Sequence, residues 1–255
     1  MEYIVSASTD VGIKKSTNQD SLVIKVANTD IGNITMAVVC DGMGGLAQGE
    51  VASADLIRSF SDWFTNRLPY IINGSLEDQV VRQEWERVIS ESNQRIMEYG
   101  RRSGINLGTT VVGMLFTDKR YYVVNVGDSR AYEMTDRVTL LTEDQTVVER
   151  EVRQGILTRE QAMNDPRRSV LLQCVGVAPN VYPEMFFGET KKNATYMLCS
   201  DGFRHVISEE EIYKYLGPGA STSAEEMKKN CEYLIEVNKQ RKEEDNITVA
   251  LIRTY

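Results

Sequence analysis

The chain has 255 residues, 42% hydrophobic and 26% charged, and carries a formal net charge of −8. That acidic balance excludes a nucleic-acid binder, which needs clustered Lys and Arg to neutralise phosphates. No apolar run approaches the ~20 residues that span a bilayer, and one fold of this length buries roughly three quarters of its unfolded surface, enough for a sizeable core.

In chain order, Tyr3–Ala7, Leu22–Val26 and Ile34–Cys40 are expected strands. Ala52, Leu56, Ile57, Phe60, Phe64 and Leu68 then recur at helical spacing, as do Val80, Val81, Trp85, Val88, Ile89 and Ile96 after a turn at Asn73-Gly74. Four strands follow at Thr109–Phe116, Tyr121–Val126, Arg130–Met134 and Val138–Leu141. Residues 145–165 are charged and helical in pattern with little apolar content, so they read as an exposed excursion, and the flap is drawn at approximately 145–169. Strands return at Val170–Val175, Glu184–Phe187 and Tyr196–Cys199. Helices near Ser208–Leu216 and Ser223–Arg241 precede a last strand at Ile247–Ile252. Strand groups alternating with helix pairs across hairpin-length connections predict an α+β fold, antiparallel sheets with helices packed outside, as one domain over 1–255.

The chemistry-bearing pattern is a carboxylate at the mouth of a buried strand. Asp41-Gly42-Met43-Gly44-Gly45 follows the run Ile34–Cys40, Ser200-Asp201-Gly202 follows Tyr196–Cys199, and Asp245-Asn246 opens the last strand. Any one of these alone reads as a turn residue or helix cap. Together they point to one site, because clustered carboxylates with no compensating charge gain a fold nothing, and a divalent pair sharing a bridging water resolves the repulsion. The single histidine, His205, leaves no nitrogen or sulfur zinc site and no Ser-His-Asp triad elsewhere. The four cysteines lack Cys-x-x-Cys spacing and read as buried free thiols. A metal must then be held by oxygen, which selects Mn²⁺ or Mg²⁺. The start, Met1 to Ser6, has no basic or long apolar leader pattern, so the expected compartment is the cytoplasm.

Asp10-Val11-Gly12, Asn18-Gln19-Asp20, Asp41-Gly42-Met43-Gly44-Gly45, Gly49-Glu50, Gly108-Thr109-Thr110, Gly127-Asp128-Ser129-Arg130, Ser200-Asp201-Gly202 and Asp245-Asn246 resemble, in order and spacing, the motifs of metal-dependent PP2C-type (PPM) protein serine/threonine phosphatases of the bacterial branch. The resemblance implies two antiparallel sheets packed as a central sandwich flanked by helix pairs, with a flap. It implies two core Mn²⁺ or Mg²⁺ ions: Asp41 bridging both, the Gly42 carbonyl on one, Asp201 and Asp245 completing the other, and Asp20 acting through bound water. In bacterial members Asp128 matches a position that, with Asp201, helps hold a third, weaker ion. Asn246, Thr109 and Thr110 are expected to orient carboxylates and backbone, and Ser129-Arg130 to brace the sheet.

Three departures from the family pattern stand out. Lys15 occupies the place where an arginine usually grips the substrate phosphate, which predicts a weaker point-charge grip. Met43 cannot donate the proton that a histidine supplies in some relatives, so leaving-group protonation falls to metal-bound water. His205 stands four residues after Asp201, where many relatives place an aspartate near the third ion, and reads either as a manganese ligand or as a surface or cap residue. The implied activity is hydrolysis of phosphoserine and phosphothreonine in proteins by direct attack of a metal-bridging water or hydroxide. Catalysis is assigned to Asp41, Asp20 and Lys15. The alternative is a PP2C-like adaptor that binds phosphoproteins without cleaving them, and a weaker rival acts on small phosphorylated metabolites. Expected partners are phosphorylated proteins, including a serine/threonine kinase and its substrates, with no nucleic acid and no membrane, for a monomer.

Overall fold

A computed structural model describes residues 1–44, 48–72 and 76–255. The expected turn at Asn73-Gly74 and the glycine at 45 lie outside the described residues. The strands are β1 Tyr3–Asp10, β2 Ser21–Thr29, β3 Gly32–Cys40, β4 Gly42–Gly44, β5 Leu107–Thr109, β6 Val111–Phe116, β7 Arg120–Val126, β8 Arg130–Met134, β9 Val138–Leu140, β10 Glu184–Glu189, β11 Thr195–Cys199 and β12 Ile247–Thr254. The helices are α1 Gly49–Asp62, α2 Leu68–Ile71, α3 Asp78–Ser103, α4 Val147–Arg153, α5 Arg159–Asn164, α6 Asp201–Arg204, α7 Glu209–Leu216 and α8 Ala224–Gln240. None is long and apolar enough to cross a membrane.

Two five-stranded antiparallel sheets form, in the orders β1-β12-β11-β8-β9 and β10-β7-β6-β3-β2. The reason is visible in β3, whose residues 34–40 are all fully buried. Ile34, Met36, Val38 and Cys40 join the layer that includes Phe60 and Trp63 beside α1 and Trp85 of α3, while Ala37 and Val39 join Tyr196, Leu198, Ala250 and Ile252 between the sheets. A strand buried on both faces reads as a continuous apolar run rather than an alternation. A third layer, with Met197, Val249 and Leu251 against Ile212, Met227 and Leu234, fastens α7 and α8 to the first sheet. Full burial of each large apolar side chain stabilises by roughly 1.5–3 kcal/mol. The α+β sandwich with helices on both outer faces is therefore as expected.

Helix starts follow capping chemistry. Ser208 and Glu211 form a reciprocal capping box on α7, and the Ser223 hydroxyl accepts the Glu226 N–H at the start of α8. The four cysteines are free and buried.

Two expectations need correction. Val170–Val175 is not a strand: only Leu171 and Val175 make single bridges, to Thr146 and Thr109. Val170 and Leu172 are exposed, and the Gln173 side chain is tied to Gln145 and the Tyr182 carbonyl instead of a neighbouring ladder. The run at Thr109–Phe116 is two strands, β5 and β6, because Thr110 leaves the ladder to bond Asp41.

Candidate metal centre

Asp41 is held by its backbone. Its carbonyl accepts the Thr110 N–H at 2.8 Å and the Thr109 hydroxyl at 3.0 Å, and its own N–H donates to Thr110 Oγ1 at 3.1 Å. Thr110 Oγ1 is in turn 2.8 Å from Ser129 Oγ. Gly42 begins β4, where a Cβ would stand 2.3 Å from the Gly49 carbonyl oxygen and 2.5 Å from that of Gln19. Only glycine lets the Asp41 turn pack on the first turn of α1.

Pairing of β1 with β12 ends at Asp10 opposite Ile247, which brings Val11-Gly12 beside Asp245-Asn246. Gly12 has φ +77°, and a Cβ there would lie 2.2 Å from the Asp245 carbonyl oxygen. Asn246 fastens the loop that carries Lys15: its Nδ2 donates to the carbonyls of Val11 and Thr17 at 2.9 and 3.2 Å, and its Oδ1 accepts the Gln19 N–H at 2.9 Å. Asp20 follows in the chain, its Oδ2 accepting the Ser200 hydroxyl at 2.9 Å. Asn246, Thr109 and Thr110 thus hold backbone around the carboxylates.

The electrostatics show convergence. Burial, then the charges of Asp20, Asp201, Asp128 and Asp245, hold Asp41 well above the usual carboxylate range. Burial pushes Asp20 up to about 7, against hydrogen bonds from Thr248 and Ser200 and with help from Asp201 and Asp245. Burial also raises Asp128 to about 7, reinforced by Asp201 and opposed by Arg204. Asp20 Oδ1 and Asp201 Oδ1 are buried with no hydrogen-bond partner among the described residues. Orphaned acceptors of this kind suit a cation, a proton or an ordered water, and an all-oxygen donor set fits a hard divalent ion. Among the described residues no three Asp, Glu, His or Cys side chains already form a closed ligand group.

Lys15 is the positive charge at this mouth, with Nζ 3.0 Å from Asp245 Oδ1. Burial works to lower its pKa, but the hydrogen bond to Asp245 and the charges of Asp245, Asp41 and Asp201 leave it raised.

Sequence reasoning singled out His205 but missed three neighbours, Glu243, Asp144 and Arg204. His205 lies between two carboxylates, Nε2 3.4 Å from Asp201 Oδ2 and Nδ1 3.4 Å from Glu243 Oε2. Burial would lower its pKa, yet Glu243 and Asp201 raise it. Glu243 Oε1 also accepts the N–H groups of Glu244 and Asp245 at 2.9 and 3.0 Å, so one buried carboxylate steadies both the Asp245 backbone and His205. Asp144 receives Arg130 in a two-pronged pair at 2.7 and 2.8 Å. Arg204 reaches the same Asp144 and the backbone of Asp128. Glu243 sits in a charged run that reads as a helix end, and no local signal marks Asp144 or Arg204. Arg130, expected to brace the sheet, spends its side chain on Asp144 and the Tyr132 hydroxyl.

An open cleft of about 820 Å³ runs from Asp128 and His205 to Arg159, Met163 and Arg168 of the 145–169 excursion. A more apolar depression of about 700 Å³, beside the end of α3 and Gly176–Pro179, includes none of the candidate residues.

A Protein phosphatase 2C family model matches residues 12–235. The serine/threonine phosphatase stp of Listeria monocytogenes is 31% identical over 223 residues, 86% of this chain and 84% of that one. The crystal structure of the Mycobacterium tuberculosis serine/threonine phosphatase PstP/Ppp superposes with a TM-score of 0.82 at 28% identity, covering 99% of this chain and 98% of that one. The PstP catalytic domain in complex with two manganese ions gives a TM-score of 0.79 at 26% identity, covering 99% of both chains. Fold and relatives define the class, a protein phosphatase acting on phosphoserine and phosphothreonine. The chain belongs to the protein phosphatase 2C family.

Proposed function

We propose that the protein removes phosphate from phosphoserine and phosphothreonine side chains with a pair of divalent ions, Mn²⁺ or Mg²⁺, held by the carboxylates at the ends of β3, β11 and β12. The observation that carries this reading is the placement of Asp41, where burial and the charges of Asp20, Asp201, Asp128 and Asp245 together hold its pKa well above normal. Asp41, the Gly42 carbonyl, Asp201 and Asp245 would hold the ions, and Asp20 would accept a hydrogen bond from a water in their shell. When bound, such ions supply a water activated for in-line attack on phosphorus and offset charge on the phosphoryl oxygens.

The chain's own residues do the rest. Lys15 is mobile enough to leave Asp245 and meet a phosphate oxygen once Asp245 is neutralised, giving a point-charge grip. Thr109 and Thr110 keep Asp41 oriented through its backbone, and Ser200 keeps Asp20. His205 has both nitrogens turned to carboxylates, which leaves it no free position for protonating a leaving group.

The 145–169 excursion forms one wall of the cleft at Asp128, and its Arg159 and Arg168 suit a phosphorylated or acidic protein surface. We assign substrate choice to this flap, partners to phosphorylated proteins including a kinase and its targets, and the working compartment to the cytoplasm.

The test is release of phosphate from a phosphothreonine peptide and from p-nitrophenyl phosphate with Mn²⁺, Mg²⁺ and EDTA. Metal-dependent, EDTA-abolished turnover of the peptide is expected. No turnover of either substrate with Mn²⁺ would overturn the reading in favour of phosphoprotein binding without catalysis.

A further inference from the structure

Arg204 ends the short helix that Asp201 begins, so the two side chains sit three residues apart, one turn along. Its side chain is only 12% exposed, and Nη2 donates to the Asp128 carbonyl at 2.9 Å while lying 3.9 Å from Asp128 Oδ2. The same nitrogen is 3.3 Å from Asp144 Oδ2, and Asp144 is already gripped by Arg130. Arg204 therefore brings a positive charge to Asp128 and Asp144 that offsets part, not all, of the burial and of the Asp201 charge acting on Asp128. Arg204 Nε is buried and finds no acceptor among the described residues. An orphaned buried donor is costly, and the contacts that hold the guanidinium are those of Nη2 with Asp128 and Asp144.

We propose that Arg204 supplies, as a fixed part of the chain, the positive charge that a third divalent ion would otherwise bring to Asp128, so that the carboxylate cluster takes up two ions and not three. The proposal rests on the metal-ion reading above. A cation shared by Asp128 and Asp201 would have to stand beside the guanidinium, where like charges repel strongly at reduced dielectric. The other nearby donor is also committed, because His205 is engaged by Asp201 and Glu243. Arg204 has a second effect that an exchangeable ion lacks. It ties α6, and with it Asp201, to the β7–β8 turn at Asp128 through a hydrogen bond to a backbone carbonyl that forms without metal.

The experiment counts ions. Chelated, dialysed full-length protein is titrated with Mn²⁺ by calorimetry, and free Mn²⁺ is followed in parallel by its electron paramagnetic resonance signal. The proteins are the wild type, Asp128→Asn, Arg204→Thr, Arg204→Lys and the Arg204→Thr/Asp128→Asn double variant, each checked for folding by circular dichroism. The expected result is two ions per chain for the wild type, Asp128→Asn and Arg204→Lys. Arg204→Thr is expected to gain one further, weak ion, and the double variant to lose it again. A third ion on the wild type that Asp128→Asn abolishes would overturn the proposal, as would a folded Arg204→Thr that binds only two. If Arg204→Thr does not fold, the wild type and Asp128→Asn still decide by the same count. A wild type that binds no Mn²⁺ would overturn the metal-ion reading itself, a different result from binding three.

Discussion

Lys15 Nζ stands 3.0 Å from Asp245 Oδ1, so the residue expected to hold substrate phosphate is paired with a residue expected to hold metal. The two roles compete for one ammonium group. Lys15→Ala should therefore act in two opposite directions. KM for a phosphothreonine peptide should rise about tenfold, the scale of one lost charge-assisted hydrogen bond. Mn²⁺ affinity should increase, because Asp245 loses its internal counter-charge. Lys15→Arg should lower KM, since a planar fork engages two phosphate oxygens. An unaltered KM for Lys15→Ala would remove the phosphate role.

Burial and four neighbouring carboxylates oppose the charge of Asp41. Asp41→Asn should reduce kcat on the order of a thousandfold. The same change should raise the melting temperature of the EDTA-treated protein, because a charge that costs stability without metal is gone. Mn²⁺ should then stabilise the variant much less than the wild type in a thermal-shift measurement.

Stability of the chelated protein should fall as pH rises. Asp20 and Asp128 have folded-state pKa values pushed up to about 7, Asp41 lies higher than an ordinary carboxylate, and His205 is raised too. A group with a raised folded pKa favours the folded state while protonated. Its contribution is complete below its unfolded pKa and is lost as pH climbs through the folded value. The melting temperature in EDTA should decline from about pH 5 to pH 8, at about 2–4 °C for each kcal/mol in a chain this size. Saturating Mn²⁺ should flatten or reverse that slope. A flat EDTA profile would count against the crowding. By contrast, Glu84 is held down to about 2 chiefly by Arg67. Its stabilisation is present above its unfolded pKa and fades only as pH falls toward 2, outside this window.

Gly42→Ala tests the close approach under the site. The added methyl would lie 2.3 Å from the Gly49 carbonyl oxygen and 2.5 Å from that of Gln19. Overpacking against backbone costs about 1–3 kcal/mol or more. The expected outcome is a lowered melting temperature with disproportionate loss of Mn²⁺ binding, since the shift moves Asp41. Gly104→Ala, with nothing within 4 Å of its Cβ, serves as the contrast: its φ of +66° costs stability while the metal site stays intact.

His205→Gln should keep kcat on a phosphopeptide within about threefold of wild type, because both ring nitrogens already face carboxylates. Loss of most of kcat would assign to the imidazole, and not to metal-bound water, the protonation of the leaving group.

The layered fold and the positions of the acidic residues were legible in the chain because burial on two faces leaves continuous apolar runs such as Ile34–Cys40, and because carboxylates beside glycines stand out at their ends. Caps at Ser208 and Ser223 were equally local. Val170–Val175 misled because an apolar run shows that a segment packs, not whether a neighbouring ladder will accept its backbone. Thr110 breaks its strand for Asp41, a residue of another strand, and no local pattern records that. The pairings that set the chemistry are of the same kind: Lys15 with Asp245, His205 with Glu243, Arg204 with Asp128 and Asp144. By itself the sequence determined which residue types are available for chemistry: aspartates beside glycines, one histidine, and a lysine where an arginine is usual. Only the tertiary structure decided which charges neutralise which, since electrostatic energy depends on distance and burial, and both arise when the two sheets close on each other.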